Sequence, residues 1–213
     1  MNEQELKELN EKLNGMSPQD VVAWAVDYAK GDAMISTNFR PYEGVLLHMA
    51  TQAQADIPVL WVDHGYNTRD TYIVADKLSK QLDLNIKLYI PKRTANHRDA
   101  LLGGIPAIED QEKHDLFTQE VKLEPFQRGM QELNPKVWLT ALRKVQNPNR
   151  ETMDIATLSG QGMLKVSPIF YWTDEDMEGY LAEHSLPDEK NYYDPTKVLE
   201  NRECGLHLTH SGL

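Results

Sequence analysis

The sequence is poor in thiols: Cys204 is the one cysteine among 213 residues. Within the chain that excludes a disulfide, an all-cysteine zinc site and a four-cysteine iron–sulfur cluster. Positive charge is also scarce, with 22 Lys and Arg against 33 Asp and Glu and a formal net charge of −11. General nucleic-acid binding requires a basic face, so this balance argues against it, and any anionic ligand must be met by a local basic pocket. No apolar run approaches the roughly 18 residues that a membrane-spanning helix needs. The opening "MNEQELKELNEKLNGM" has neither the basic start nor the apolar centre of a secretory signal. The expectation is a soluble cytoplasmic protein with no metal, no nucleic-acid partner and no membrane partner.

What is present reads as one α/β domain. Leu6, Leu9 and Leu13 recur at helical spacing, and "SPQDVVAWAVDYAKG" carries helix punctuation in Ser17, Pro18 and Gly31. Short apolar runs follow, "AMIS" (33–36), "PVLWV" (58–62) and "IKLYI" (86–90), separated by the helical patterns "YEGVLLHMATQA" and "TYIVADKLSKQL". Strands joined by helices predict a mostly parallel sheet covered on both faces. A helix interrupted near Pro125, strands over 136–142 and 162–169, and a helix capped by Thr173 complete the pattern, with 92–114 and 144–161 read as long loops. The expected division is a nucleotide-binding body over residues 1–188 and a tail over 189–213.

In such a sheet, ligands bind at the carboxyl ends of the strands. After the first strand, Ser36, Thr37 and Asn38 precede a helix expected to begin near Pro41. Hydroxyls and main-chain N–H groups there suit phosphate oxygens, with Arg40 adding charge, although a plain N-cap and turn fits the spacing as well. After the second strand, Asp63 and Gly65 either receive polar groups of a nucleotide or build the turn, and His64 reads as a turn residue. Lys92, Arg93 and Arg98 follow the third strand, and Arg143, Lys144 and Arg150 follow the fourth. Loops on one face of the sheet would gather them into a cationic pocket, although each taken singly reads as a surface charge. At Cys204, Arg202 and His207 favour the reactive thiolate and Glu203 opposes it, which leaves a catalytic and an incidental cysteine both open.

The tail motif "RECGLH" resembles the C-terminal signature of the phosphoadenylyl-sulfate (PAPS) reductase family, of the thioredoxin-dependent type without an iron–sulfur cluster. "IPVLWVDHGYNTRDTY", "KLEPFQRGMQELNPKVWLTALRKVQN" and "GMLKVSPIFYWTDEDMEGYLAEHSLP" resemble further family segments in the same order. The resemblance implies a Rossmann-like fold of the adenine nucleotide alpha hydrolase type with a flexible tail. It also implies reduction of 3′-phosphoadenylyl sulfate to sulfite and adenosine 3′,5′-bisphosphate. Cys204 would be the nucleophile, an S-sulfocysteine the intermediate, and thioredoxin or glutaredoxin the external reductant, with no bound cofactor and dimerisation left open. Arg143 and Lys144 would face the anionic groups, Ser36, Thr37 and Asn38 the phosphate, and Asp63 and Gly65 the nucleotide edge. Lys165 matches the family's strand lysine. Arg40 and Pro41 stand where the family's Ser-Ser-Ser-Phe-Gly-Ala-Gln loop has small residues. "YYDPTKVLEN" replaces its Gly-Asp-x-His-Thr-Thr-Arg segment, with Lys197 in place of the lost arginine. Two other readings stay open, a non-catalytic sulfonucleotide-binding protein and an ATP-pyrophosphatase-type enzyme, the latter lacking its Ser-Gly-Gly-x-Asp-Ser loop.

Overall fold

Short polar residues set the helix starts. Asn2, Ser17, Thr68, Thr94 and Thr173 each adopt an extended conformation and accept a hydrogen bond from the backbone N–H three residues on, satisfying an amide that the first turn would otherwise orphan. The computed structural model describes residues 1–107, 109–160 and 162–196. Two helices, α1 (Glu3–Leu13) and α2 (Pro18–Ala29), precede the alternation β1 (Ala33–Thr37), α3 (Glu43–Ala53), β2 (Pro58–Val62), α4 (Arg69–Leu82) and β3 (Asn85–Tyr89). Next come α5 (Ala95–Leu102) and α6 (Gln111–Thr118), then a π turn (Gln119–Leu123) that runs directly into α7 (Glu124–Leu133). The chain continues through β4 (Val137–Leu139), β5 (Ala156–Leu158), β6 (Leu164–Val166) and α8 (Asp174–Glu183). No helix among the described residues is long and apolar enough to cross a membrane.

The strands form one sheet in the order β3-β2-β1-β4-β6-β5, parallel except for β5, which runs antiparallel to β6 at the edge. Side chains alternate across it. Ile35, Val59, Val137, Leu139, Leu164 and Val166 face the larger core with α2, α3, α4 and α8. Met34, Leu60 and Trp138 face a smaller core with Phe126 of α7, as the two-residue period of a strand requires. Gly129 lets α7 approach closely: a Cβ there would stand 2.7 Å from Leu60 Cδ1 and 2.9 Å from the Tyr89 ring.

Two expected loops carry elements. Within 92–114 lies α5, whose apolar residues follow no helical stripe and whose Leu101 and Leu102 are exposed. Within 144–161 lies β5, a three-residue strand too short for any periodic signal. Its outer edge is closed by Asn10 of α1, whose side-chain amide donates to the Ala156 carbonyl at 2.9 Å and accepts from the Ala156 N–H at 2.8 Å. A helical side chain thus stands in for the missing neighbour strand.

Candidate active site

The strand order reverses between β1 and β4, where β1 leads through α3 to β2 on one side and β4 borders it on the other. A cleft open to solvent lies at the carboxyl ends of these strands, the position at which open α/β sheets bind ligands. Ser36, Thr37, Asn38 and Arg40 line it from β1 and its loop, and Thr140, Ala141 and Arg150 from beyond β4. His64 follows β2, and Lys122 reaches in from the π turn. Lys122 and Arg150 are each less than a tenth exposed.

A carboxylate holds the loop after β1 together. Glu43, the first residue of α3, accepts from the Thr37 hydroxyl at 2.6 Å, the Asn38 N–H at 2.8 Å and Arg40 Nε at 3.0 Å. Turned so that its NH₂ also faces Glu43, the Asn38 amide leaves its carbonyl oxygen to accept from the Tyr192 hydroxyl at 2.7 Å. The helix therefore starts two residues after Pro41, because Tyr42 adopts a left-handed conformation with φ of 72°. The other positive φ of the loop falls on Phe39, at 54°, and none falls on Arg40. Arg40 consequently needs no glycine-like freedom, and its guanidinium is turned back onto Glu43 and, at 3.4 Å, the Ala141 carbonyl. Ser36 belongs to the opposite wall and accepts from Trp138 Nε1 at 2.8 Å.

Asp63 organises the next turn, accepting from the Gly65 N–H at 3.0 Å, the Asn67 amide at 2.9 Å and the Tyr72 hydroxyl at 2.8 Å. Burial and this bond to a carboxylate push the Tyr72 phenol up to about 12. Gly65 has φ of 80°, and a Cβ there would lie 3.1 Å from Ala95 Cβ. His64 is buried, and burial pushes its imidazole down to about 4, with Asp194 and Asp63 pulling against burial and Lys122 reinforcing it.

The basic residues divide between cleft-lining and structural positions. Arg143 is buried and anchors α8, bonding Asp174 Oδ1 at 2.6 Å and the Trp172 carbonyl at 3.3 Å, with its guanidinium 5.2 Å from the Tyr42 ring centroid. Lys144 is exposed, with Nζ 5.8 Å from the Tyr171 ring centroid. Lys165 on β6 lies with Nζ 5.2 Å from the Trp138 ring centroid, and burial lowers its pKa. Lys92 pairs with Glu124, and Arg93 and Arg98 with Glu120. Among the described residues the cleft's own cations are therefore Arg40, Lys122 and Arg150. Lys122 carried no sequence signal, since a lysine ahead of Glu-Pro reads as helix surface. The π turn that buries it is a feature frequent at functional sites.

Residues 188–196 cross the site. Asp188 Oδ1 accepts from the Tyr42 N–H at 2.7 Å, Tyr192 meets Asn38, and His114 Nε2 lies 3.1 Å from the Pro195 carbonyl oxygen. Asp194 forms a buried ion pair with Lys122 and accepts from the Thr196 hydroxyl at 2.6 Å. Burial alone would raise the Asp194 pKa, but Lys122 and Thr196 outweigh it and hold the carboxyl well below the usual range. Lys197, Cys204 and His207 lie outside the described residues. Among the described residues no group of three or more His, Cys, Asp or Glu is placed to hold a metal ion.

Residues 32–194 match the family model described as the phosphoadenosine phosphosulfate reductase domain. The chain is 35% identical over 182 residues to a phosphoadenosine 5′-phosphosulfate reductase of Synechococcus, an alignment covering 85% of this chain and 78% of that protein. It is 37% identical over 183 residues to the protein of the same name from Vibrio vulnificus, covering 85% and 69%. A crystal structure of PAPS reductase from Candida auris, a phosphate complex, is similar in fold, with a TM-score of 0.77 at 24% identity over 88% of this chain and 89% of that one.

Proposed function

The chain belongs to the phosphoadenosine phosphosulfate reductase family, and from that premise we propose that it reduces 3′-phosphoadenylyl sulfate to sulfite and adenosine 3′,5′-bisphosphate through Cys204. The observation that carries the reading is the switch-point cleft, where buried Arg150 brings positive charge and buried Lys122, paired with Asp194, stands in the wall, on a chain whose net charge is −11. The body through residue 188 binds the nucleotide, and the segment from 189 to 213 delivers the thiol.

The Cys204 thiolate attacks the sulfonate sulfur. A sulfur–sulfur bond forms, the bond from sulfur to the phosphate oxygen breaks, and its electron pair leaves on adenosine 3′,5′-bisphosphate. Negative charge grows on that phosphate, so cations fixed around it stabilise the transition state. A thiolate needs no separate base to activate it. The product on the protein is an S-sulfocysteine. One thiolate of an external dithiol, thioredoxin or glutaredoxin, attacks the Cys204 sulfur, expels sulfite and forms a mixed disulfide. The second thiol resolves it, leaving the dithiol oxidised and Cys204 restored. We place this chemistry in the cytoplasm, where such dithiols are kept reduced.

Cys204 must face the nucleotide first and a protein reductant second, which favours a thiol carried on a terminal segment. That segment is rooted at the site by the contacts of Tyr192 and Asp194. The test is intact-protein mass spectrometry after incubation with 3′-phosphoadenylyl sulfate or its unphosphorylated analogue, without reductant. A gain of about 80 Da on wild type that is absent from Cys204→Ser is expected of the covalent route. Sulfite release by the Cys204→Ser variant at the wild-type rate would overturn it.

A further inference from the structure

His64 combines two properties that do not go together in a plain turn residue. The residue is only 3% exposed, and its Nδ1 accepts a hydrogen bond from the Tyr66 N–H at 3.0 Å. In the neutral ring that bond leaves the proton on Nε2. Nε2 is shut off from bulk water and has no hydrogen-bond partner among the described residues. A buried donor without an acceptor is costly, and native structures rarely keep one without cause. The same side chain lines the switch-point cleft beside Thr37 and Lys122.

We propose that His64 is a nucleotide-binding residue, donating its Nε2–H as a neutral imidazole to an anionic oxygen of the adenosine phosphosulfate bound in this cleft. The assignment rests on the function proposed above and extends it to a residue placed by the turn that Asp63 organises. Lys122 and Asp194 already supply a fixed charge pair beside the ring, so a second cation there is disfavoured and a dipolar donor suits the position. The unmet donor of the free protein then gains its acceptor only when ligand arrives, which directs the interaction toward the bound state.

Two substitutions separate this role from a purely structural one. In His64→Asn, the side-chain carbonyl takes the place of Nδ1 and still accepts from the Tyr66 N–H, but the distant donor is gone. In His64→Gln, the side-chain NH₂ reaches the place of Nε2 while the Tyr66 contact is given up. With adenosine 3′,5′-bisphosphate as the probe in calorimetry, His64→Asn is expected to bind roughly 10- to 100-fold more weakly than wild type, as loss of a hydrogen bond to a charged group implies. His64→Gln is expected to stay within a few-fold of wild type. In wild type, the Nε2 nitrogen and proton resonances of His64 are expected to shift on titration with the probe. Tight binding with those resonances unmoved, or with Asn the better replacement, would overturn the His64 assignment and leave the nucleotide-binding function standing. No binding of the probe to wild type would overturn both.

Discussion

Lys122 and Asp194, 72 residues apart in sequence, form an ion pair with side-chain exposures of only 7% and 3%. The pair joins the π turn in the cleft wall to the segment that leads toward Cys204. Removing one partner leaves the other as a buried, uncompensated charge, which typically costs about 3–5 kcal/mol. Lys122→Met and Asp194→Asn are each expected to lose stability on that order in urea denaturation. The double variant Lys122→Met/Asp194→Leu should recover much of it, since neither charge is then stranded. Singles and double equally unstable would show that packing around the pair matters more than its charge.

Acid should weaken the fold in two stages, both with the same sign. His64 has an ordinary value near 6.5 in the unfolded chain and about 4 when folded. Between those values the unfolded state binds the proton first, so stability falls as pH drops from about 6.5 to about 4, by roughly 3 kcal/mol in all. Asp194 has a depressed folded value, so its contribution is present above about 3.9 and is lost as pH falls through and below that range. Urea midpoints measured from pH 7.5 to pH 4 should decline in wild type. They should decline less in His64→Asn, which has no imidazole to protonate.

Asn10 offers a check on the sheet edge. Its amide satisfies both backbone groups of Ala156 on the open side of β5. Asn10→Ala is expected to cost about 1–3 kcal/mol, the range for leaving buried backbone groups unpaired. Exchange of the Ala156 amide hydrogen should accelerate well beyond the change at Leu139 in the sheet centre. Equal acceleration at both positions would mean that the contact stabilises the whole domain and not the edge.

That edge also marks where sequence reading stops. β1 and β2 are visible as apolar runs because they are buried in the sheet interior, and β3, at the edge with Leu88 exposed, is visible through its β-rich composition. The order that reverses between β1 and β4, by contrast, is set by packing that no local run reports. β5 is invisible because its existence depends on pairing with β6 and on Asn10, 146 residues away. The same limit applies in the cleft. Ser36, Thr37, Asn38 and Arg40 are local to a strand end and could be chosen from position alone. Glu43 reads as an ordinary first-turn acid, and only the left-handed turn at Tyr42 brings it back onto Thr37 and Arg40. Lys122 enters through a π turn whose extra residue changes which helix face is buried. Arg143, selected for its place after β4, is drawn off by Asp174, a carboxylate 31 residues later.

The Arg40–Glu43 pair separates two uses of the same guanidinium. Arg40 Nε lies 3.0 Å from Glu43 Oε1, with side-chain exposures of 20% and 9%. If Arg40 serves mainly to hold Glu43, and Glu43 in turn to hold the Thr37 hydroxyl and the Asn38 N–H, the cost of losing it falls on loop stability. Arg40→Ala, Glu43→Ala and the double variant then form a cycle whose coupling should be about 0.5–3 kcal/mol, as for contacting residues in one network. Under the same reading, adenosine 3′,5′-bisphosphate affinity of Arg40→Ala should change by less than about fivefold, because the Arg40 charge is already spent on Glu43 and Arg150 stays in the cleft. Negligible coupling together with a loss of affinity beyond about 10-fold, the scale of one hydrogen bond to a charged group, would mean that Arg40 leaves Glu43 and turns to the nucleotide when ligand binds.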